Sequence, residues 1–355
     1  MKILITAPSL DETRNVSGIS TIVRQIIEHG RSEFHHFTAG REDGERSGTK
    51  WAIKQALLPF RFAAKTVVFR PDVIHINTAL TDRSIIRAAA LPTAAKLAAR
   101  TLIVALHGGR YLIEEFKSKR LESVAGTMLA KANSVIVYSD FEKSHLLRRW
   151  PKLNIDTLPN AIPLENAALV PRNNPVPVIT FFGRMHESKG LHEVIEACKT
   201  LVASGFKFQF RAFGEGPLRE FFVDAMTSYL GDRFYYGGII SGEQKWRVLG
   251  ESDIFVLPSR YGEGLPMAML EAMATGCIVI VGDVASVSTV VSDGTNGYLV
   301  KPNDASGLAS KLKVVLDDKL EWGTIRENAV ATVRSKFEIK AYIDKLEKIY
   351  ESTTG

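Results

Sequence analysis

Short apolar runs recur along the chain, each followed by a longer segment whose apolar residues return every three or four positions. In the first half the runs are Ile3–Thr6, Phe34–Phe37, Val73–Ile76, Thr101–Ala105 and Ser134–Val137. The rhythm restarts at Val178–Phe182 and continues through Lys207–Phe213, Phe234–Tyr236, Ile254–Leu257 and Cys277–Val281. Alternation of such strands with helical segments predicts an α/β fold of two doubly wound parallel sheets. Between the halves, Ile162–Pro177 carries Pro163, Pro171, Pro175 and Pro177 and the polar run Arg172-Asn173-Asn174, the composition of a linker. The division expected is residues 1–165, residues 166–335 and a closing segment 336–355. In that segment Phe337, Ile339, Tyr342, Ile343, Leu346, Ile349 and Tyr350 form a one-sided helical stripe, expected to pack across both domains.

A chain of 355 residues gives each half enough length to bury its own core. With 45% hydrophobic and 24% charged residues it is neither disordered nor collagen-like. Cys198 and Cys277 lie far apart with no CxxC spacing, which offers neither a zinc site nor a disulfide framework and fits a reducing cytoplasm. No apolar run reaches the roughly 18 residues of a membrane span, and the apolar stretch after Met1-Lys2 ends at Pro8, too early for a signal-peptide core. A cytoplasmic protein, free or on the inner face of a membrane, is the expectation.

Charge is uneven. Residues 1–165 hold 24 Lys and Arg against 16 Asp and Glu, whereas the remainder holds 21 against 23. Lys50, Lys54, Arg61 and Lys65 would share one helical face, beside apolar surface from Trp51, Leu57, Leu58, Phe60 and Phe62, with Pro59 interrupting the helix. Lys117, Lys119, Arg120, Arg148 and Arg149 extend the basic patch. An anionic membrane surface is a candidate partner, weighed against an ordinary solvated basic face. Nucleic acid is not expected, because no aromatic-interleaved recognition motif accompanies the charge.

Ligands of open α/β sheets bind just beyond the carboxyl ends of the strands, so the residues following strands are the ones to read for chemistry. After Leu257 comes Pro258-Ser259-Arg260-Tyr261-Gly262-Glu263-Gly264-Leu265-Pro266, then a helical segment closed by Gly276. Pro266 suits a helix start and Gly276 a helix end. The free amides of Met267, Ala268 and Met269 would then form an anion site suited to phosphate. Glu263 and Glu271 flank it, and ionised carboxylates accept hydrogen bonds from sugar hydroxyls. After Phe182, Gly183-Arg184-Met185-His186-Glu187-Ser188-Lys189-Gly190 puts two cations in the turn entering the next helix, a pair suited to a diphosphate leaving group. Each stretch, taken by itself, is also compatible with an ordinary charged loop or surface helix.

Together these residues resemble the retaining nucleotide-sugar glycosyltransferases of the GT-B fold, glycosyltransferase family four. The resemblance rests on Glu263 and Glu271 seven residues apart between them, on Gly183, Arg184, Lys189 and Gly190, on Phe213-Gly214-Glu215-Gly216-Pro217, and on Asp293-Gly294-Thr295-Asn296-Gly297-Tyr298-Leu299-Val300 with Asp304. It covers the C-terminal half. The N-terminal half is similar more loosely, through Ser17-Gly18-Ile19, Leu106-His107-Gly108-Gly109 and Leu158-Pro159-Asn160-Ala161-Ile162. The family's first loop usually has two adjacent glycines, whereas here Gly18 stands beside Ser17.

The resemblance implies two Rossmann-like domains facing across a cleft. It implies that Arg184 and Lys189 hold the donor diphosphate, Glu271 the ribose hydroxyls, and Glu263 the transferred sugar with the amides near Gly264 and Leu265. The base would lie on the Gly238-Ile239-Ile240 turn, and His107 would reach the sugar near its anomeric centre. Gly18 would belong to the donor-binding set. The function implied is transfer of a sugar from a UDP-, GDP- or ADP-sugar to a glycan or lipid-linked acceptor with retention, in cell-surface polysaccharide or glycolipid synthesis. No Asp-x-Asp follows a strand and no histidines pair at i, i+4, so neither a metal nor a cofactor is expected. Two other readings compete: a catalytically silent sugar-nucleotide-binding protein, and a nicotinamide-dependent dehydrogenase, which is disfavoured because Gly214-Glu215-Gly216 runs into Pro217 rather than opening a helix.

Overall fold

Twelve strands, among the described residues, are arranged in two all-parallel sheets of six. The structure is a computed structural model that describes residues 1–12, 15, 17–40, 48–97 and 100–354, the side chains of Lys50 and Leu97 excepted. The first sheet contains β1 (Lys2–Ala7), β2 (Glu33–Thr38), β3 (Val73–Thr78), β4 (Thr101–Leu106), β5 (Ser134–Val137) and β6 (Ile155–Thr157), in the order β2-β1-β3-β4-β5-β6. The second contains β7 (Val178–Phe182), β8 (Gln209–Phe213), β9 (Phe234–Tyr236), β10 (Ile254–Leu257), β11 (Ile278–Gly282) and β12 (Tyr298–Val300), in the order β12-β11-β10-β7-β8-β9. Central strands are buried along nearly their whole length, as in Ile-Val-Ile-Val-Gly of β11, because helices cover both faces and leave no polar side for alternation. In the second sheet the order of successive strands switches sides between β7 and β10, all strands staying parallel, so its ligand crevice belongs at their carboxyl ends.

Contacts divide the chain into two compact units: residues 1–160, 263–265 and 339–355, and residues 161–262 with 266–338. The proline-rich stretch after Ile162 is tied to the second unit, because the Arg172 guanidinium donates to the carbonyls of Thr275 (2.6 Å), Gly276 (3.0 Å) and Leu249 (3.3 Å). The last helix, Ile339–Thr354, groups with the first unit. There the Tyr350 hydroxyl meets His75 Nδ1 at 2.7 Å, and Glu347 accepts from the amides of Arg31 and Ser32.

Two strands escape the hydrophobic pattern. β6 and β12 are both three residues long, and β6 carries Asp156 and Thr157, which break an apolar run. β8 starts at Gln209 rather than Lys207. The basic segment folds as two helices, Thr49–Ala56 and Leu58–Phe69, with Pro59 in the first turn of the second. Leu58 and Phe62, expected on its apolar surface, are buried in the core, whereas Leu57 and Phe60 are exposed. The Lys50 side chain lies outside the described residues.

Candidate functional site

In the second unit, the turns leaving β7, β8 and β9 are bonded edge to edge. Gly183 N donates to Phe213 O (3.1 Å), and Gly214 N donates to Gly238 O (2.7 Å). Gly214 has φ of +125°, and a Cβ there would lie 2.0 Å from Gly183 O, while one on Gly216 would lie 2.3 Å from Met185 O. These glycines therefore serve close backbone packing between turns, which accounts for Gly214-Glu215-Gly216 without a dinucleotide fingerprint.

The loop after β10 is locked to the loop after β7. Arg260 N donates to Ser188 O (2.8 Å), and a Cβ on Gly190, at φ +72°, would lie 2.1 Å from Pro258 O. The Arg260 guanidinium is held by buried Glu193, with Nη2 at 2.7 Å and Nε at 2.9 Å from Oε1. Arg184, exposed, and Lys189, partly buried in the turn Glu187–Lys189, thus sit on a braced loop at the carboxyl ends of β7 and β10. The strand order switches there.

The helix Met267–Ala274 begins after Pro266, and its first intrahelical bond is Leu270 N to Pro266 O. The amides of Met267, Ala268 and Met269 precede that bond, and no side chain caps them. Glu271, in the same helix, is 2% exposed and paired through Oε1 with Lys245 of the helix Gly242–Glu251. Ile239 is 40% exposed, but the Ile240 side chain packs with Phe213 and Val248 in a core cluster, so only its backbone can meet a ligand.

In the first unit, His107 directly follows β4. Its Nε2 lies 2.5 Å from Asn77 Oδ1 and its Nδ1 2.5 Å from the Tyr138 hydroxyl. Enclosure by protein lowers the imidazole pKa to about 3, so the ring is neutral at physiological pH. Gly109, at φ +114°, lets this loop run against the Leu80 backbone, where a Cβ would lie 2.5 Å from Leu80 N. Gly18 opens the helix Gly18–His29, whose N-cap Ser17 accepts from Ser20 N. Glu263, partly buried, Gly264 and Leu265 belong to this unit as well. Lys245, Arg260, Asn77 and Tyr138 carried no sequence-derived role; each partnership joins residues far apart in the chain, which local spacing does not reveal.

Residues 166–334 match the glycosyl transferases group 1 family model. The matched segment runs from before β7 into the helix Trp322–Lys336 and includes Arg184, Lys189, Glu271 and Lys245. Among curated proteins, the chain is 37% identical over 135 residues to the putative colanic acid biosynthesis glycosyltransferase WcaL of Salmonella typhimurium, covering 36% of this chain and 33% of that protein. It is 32% identical over 177 residues to the alpha-D-kanosaminyltransferase of Streptomyces kanamyceticus, covering 49% and 45%. Less than half the length of each of these relatives is therefore matched. Among solved structures, sucrose-phosphate synthase from Thermosynechococcus elongatus superimposes with a TM-score of 0.81 at 20% identity, over 99% of this chain and 98% of that one. Anabaena HepE, solved with UDP-glucose, gives 0.77 at 18% identity, over 99% and 100%. The chain has the GT-B fold. No helix among the described residues is long and apolar enough to cross a membrane.

Proposed function

We propose that the chain is a retaining, metal-independent glycosyltransferase that moves a sugar from a nucleotide-diphosphate sugar to a glycan or lipid-linked acceptor in polysaccharide or glycolipid synthesis. The observation that carries this reading is the braced pair of loops after β7 and β10, which brings Arg184, Lys189 and the helix bearing Glu271 to the crevice of the second sheet. The names of WcaL and the kanosaminyltransferase, and the UDP-glucose in HepE, agree with it.

In this reading the donor diphosphate lies on Arg184 and Lys189, near the amides of Met267 and Ala268. Glu271 accepts from the ribose hydroxyls, and its pairing with Lys245 fixes the carboxylate without occupying Oε2. In the first unit, Glu263 with Gly264 and Leu265 receives the transferred sugar, and neutral His107 serves the same step. The bond from the anomeric carbon to the diphosphate breaks while the acceptor oxygen bonds to the same face of that carbon. The acceptor proton passes to the departing phosphate oxygen, so no carboxylate nucleophile is required. Negative charge grows on the diphosphate, and preorganised cations stabilise it there without a divalent ion.

The acceptor side carries a membrane-facing surface. The sequence from Gly48 to Arg70 has five Lys and Arg and no Asp or Glu. On its two helices Phe60 (73% exposed), Val68 (79%), Val67, Ile53 and Leu57 point to solvent beside exposed Arg61. Apolar side chains flanked by cations suit an anionic lipid surface, and hence a lipid-linked acceptor.

Thermal melting against a panel of UDP-, GDP- and ADP-sugars tests the donor. One of them at 100 times its dissociation constant adds about 2.7 kcal/mol of stability. Stabilisation without any turnover on a panel of acceptors would favour a silent binding protein, and none by any nucleotide sugar would defeat both readings.

A further inference from the structure

The carboxyl edge of the first sheet carries a row of polar side chains, one from each of five adjacent strands or the residues just after them. Thr6 lies near the end of β1, Asn77 lies in β3, His107 follows β4, Tyr138 follows β5 and Asn160 lies just beyond β6, which is the spatial order of the strands. Hydrogen bonding along the first four members runs in one direction. Thr6 O is a carbonyl and only accepts, so the group 2.8 Å from it is Asn77 Nδ2 and the Asn77 oxygen faces His107. That oxygen also only accepts, which puts the imidazole proton on Nε2. Nδ1 is left as an acceptor, and the Tyr138 hydroxyl donates to it. Burial, reinforced by Glu142, raises the Tyr138 pKa well above the ordinary phenol value, so the proton stays on the donor.

Tyr138 has a second contact. A Cβ on Gly264 would stand 2.2 Å from Tyr138 Cε2 and 3.0 Å from Gly108 N, so the Glu263–Leu265 backbone rests on the phenol ring beside the His107 loop. One residue further, buried Asn160 donates from Nδ2 to Leu265 O at 2.7 Å. Asn160 belongs to the Leu158-Pro159-Asn160 stretch, for which the proposed function supplies no role.

We propose that Tyr138 and Asn160 are positioning residues: Tyr138 holds His107 as the Nε2-protonated tautomer through its hydroxyl and seats the Glu263 loop on its ring, while Asn160 pins the end of that loop. The inference rests on the functional reading for its kinetic consequence but not for its tautomer. Neither residue needs to touch substrate. Together they set where the Glu263 carboxylate and the imidazole stand, and a misplacement near 1 Å at a reacting centre lowers rate by as much as about 100-fold.

Tyr138→Phe keeps the ring and removes the hydroxyl, and Asn160→Asp keeps the shape and removes the donor. Both are compared with the intact chain by nitrogen-15 NMR of labelled histidine and by steady-state kinetics with the nucleotide sugar that melting identifies. The expected wild-type spectrum shows His107 neutral from pH 5 to 8, with a protonated Nε2 and an unprotonated Nδ1. In Tyr138→Phe the Nδ1 resonance shifts as its donor is lost, and kcat falls roughly 10–100-fold while KM for the donor changes less than about threefold. Asn160→Asp leaves the Tyr138 hydroxyl in place, so it keeps His107 protonated on Nε2, and it lowers kcat in the same range. A wild-type His107 protonated at Nδ1, an unmoved resonance in Tyr138→Phe, or kcat within about twofold of wild type in both variants would overturn the inference. If no nucleotide sugar is turned over, the functional reading fails, and the NMR result still decides the tautomer assignment on its own.

Discussion

Lys245→Met removes the cation that faces Glu271 and leaves the aliphatic stem in place. Glu271 is almost wholly enclosed, with 3% of its side chain exposed, and Lys245 retains 13%. A carboxylate deprived of its partner in such a position is destabilised by about 3–5 kcal/mol. The expected loss is about 3 kcal/mol, the lower end of that range, because the site keeps some contact with water at Lys245. Urea unfolding, followed by circular dichroism and tryptophan fluorescence, measures it, and Trp246 next to Lys245 reports on this region. Lys245→Met with Glu271→Gln removes both charges and should recover most of the loss, since the isosteric amide carries no charge to bury. A loss below about 1 kcal/mol in the single variant, or a double variant as unstable as the single, would refute an energetically coupled pair. The coupling also predicts weaker nucleotide-sugar binding in Lys245→Met, as the carboxylate loses its orientation.

Gly190→Ala should destabilise by at least about 1–2 kcal/mol, the cost of a left-handed residue with a Cβ, and should weaken donor binding because its Cβ pushes the Arg184–Lys189 turn off Pro258; melting and donor titration check both. His75 is fully buried with its pKa lowered to about 3, so below pH 6.5 the unfolded chain takes up the proton more readily than the native one and stability falls as pH drops toward 3. By pH 5 this amounts to about 2 kcal/mol, and His75→Gln should show a flatter dependence of urea midpoint on pH; an unchanged slope would assign the effect elsewhere. Arg61→Glu with Lys65→Glu should reduce sedimentation with anionic vesicles at low salt, since each cation contributes about 1 kcal/mol at such a surface and is screened beyond about 8 Å. Wild-type binding that is absent at low salt would show the helices to be simply solvated.

The apolar pattern located ten of the twelve strands among the described residues, from Ile-Val-Ile-Val-Gly of β11 to the short Phe-Tyr-Tyr of β9. It missed Ile155–Thr157 and Tyr298–Val300, whose strand character comes from pairing with β5 and β11 and appears only in three dimensions. The position of Arg184 and Lys189 just past β7 was legible, because glycines bracket them directly after an apolar run. Tyr138 and Lys245 were not. Tyr138 lies 31 positions from His107 and Lys245 26 positions from Glu271, and the strand order and helix packing that unite them appear only in three dimensions. Ile240 shows the converse: a residue in a promising turn has its side chain committed to the core.

The most direct test of the account is release of nucleoside diphosphate from a nucleotide sugar in excess chelator, measured for wild type and for Arg184→Ala, Lys189→Ala and their combination. The account predicts acceptor-dependent release by wild type at an undiminished rate, a loss of about 100–1,000-fold in each single variant, and a double variant that loses less than the sum of the singles, because both cations act on one diphosphate. Release that requires added magnesium, or that proceeds unchanged in the variants, would contradict it.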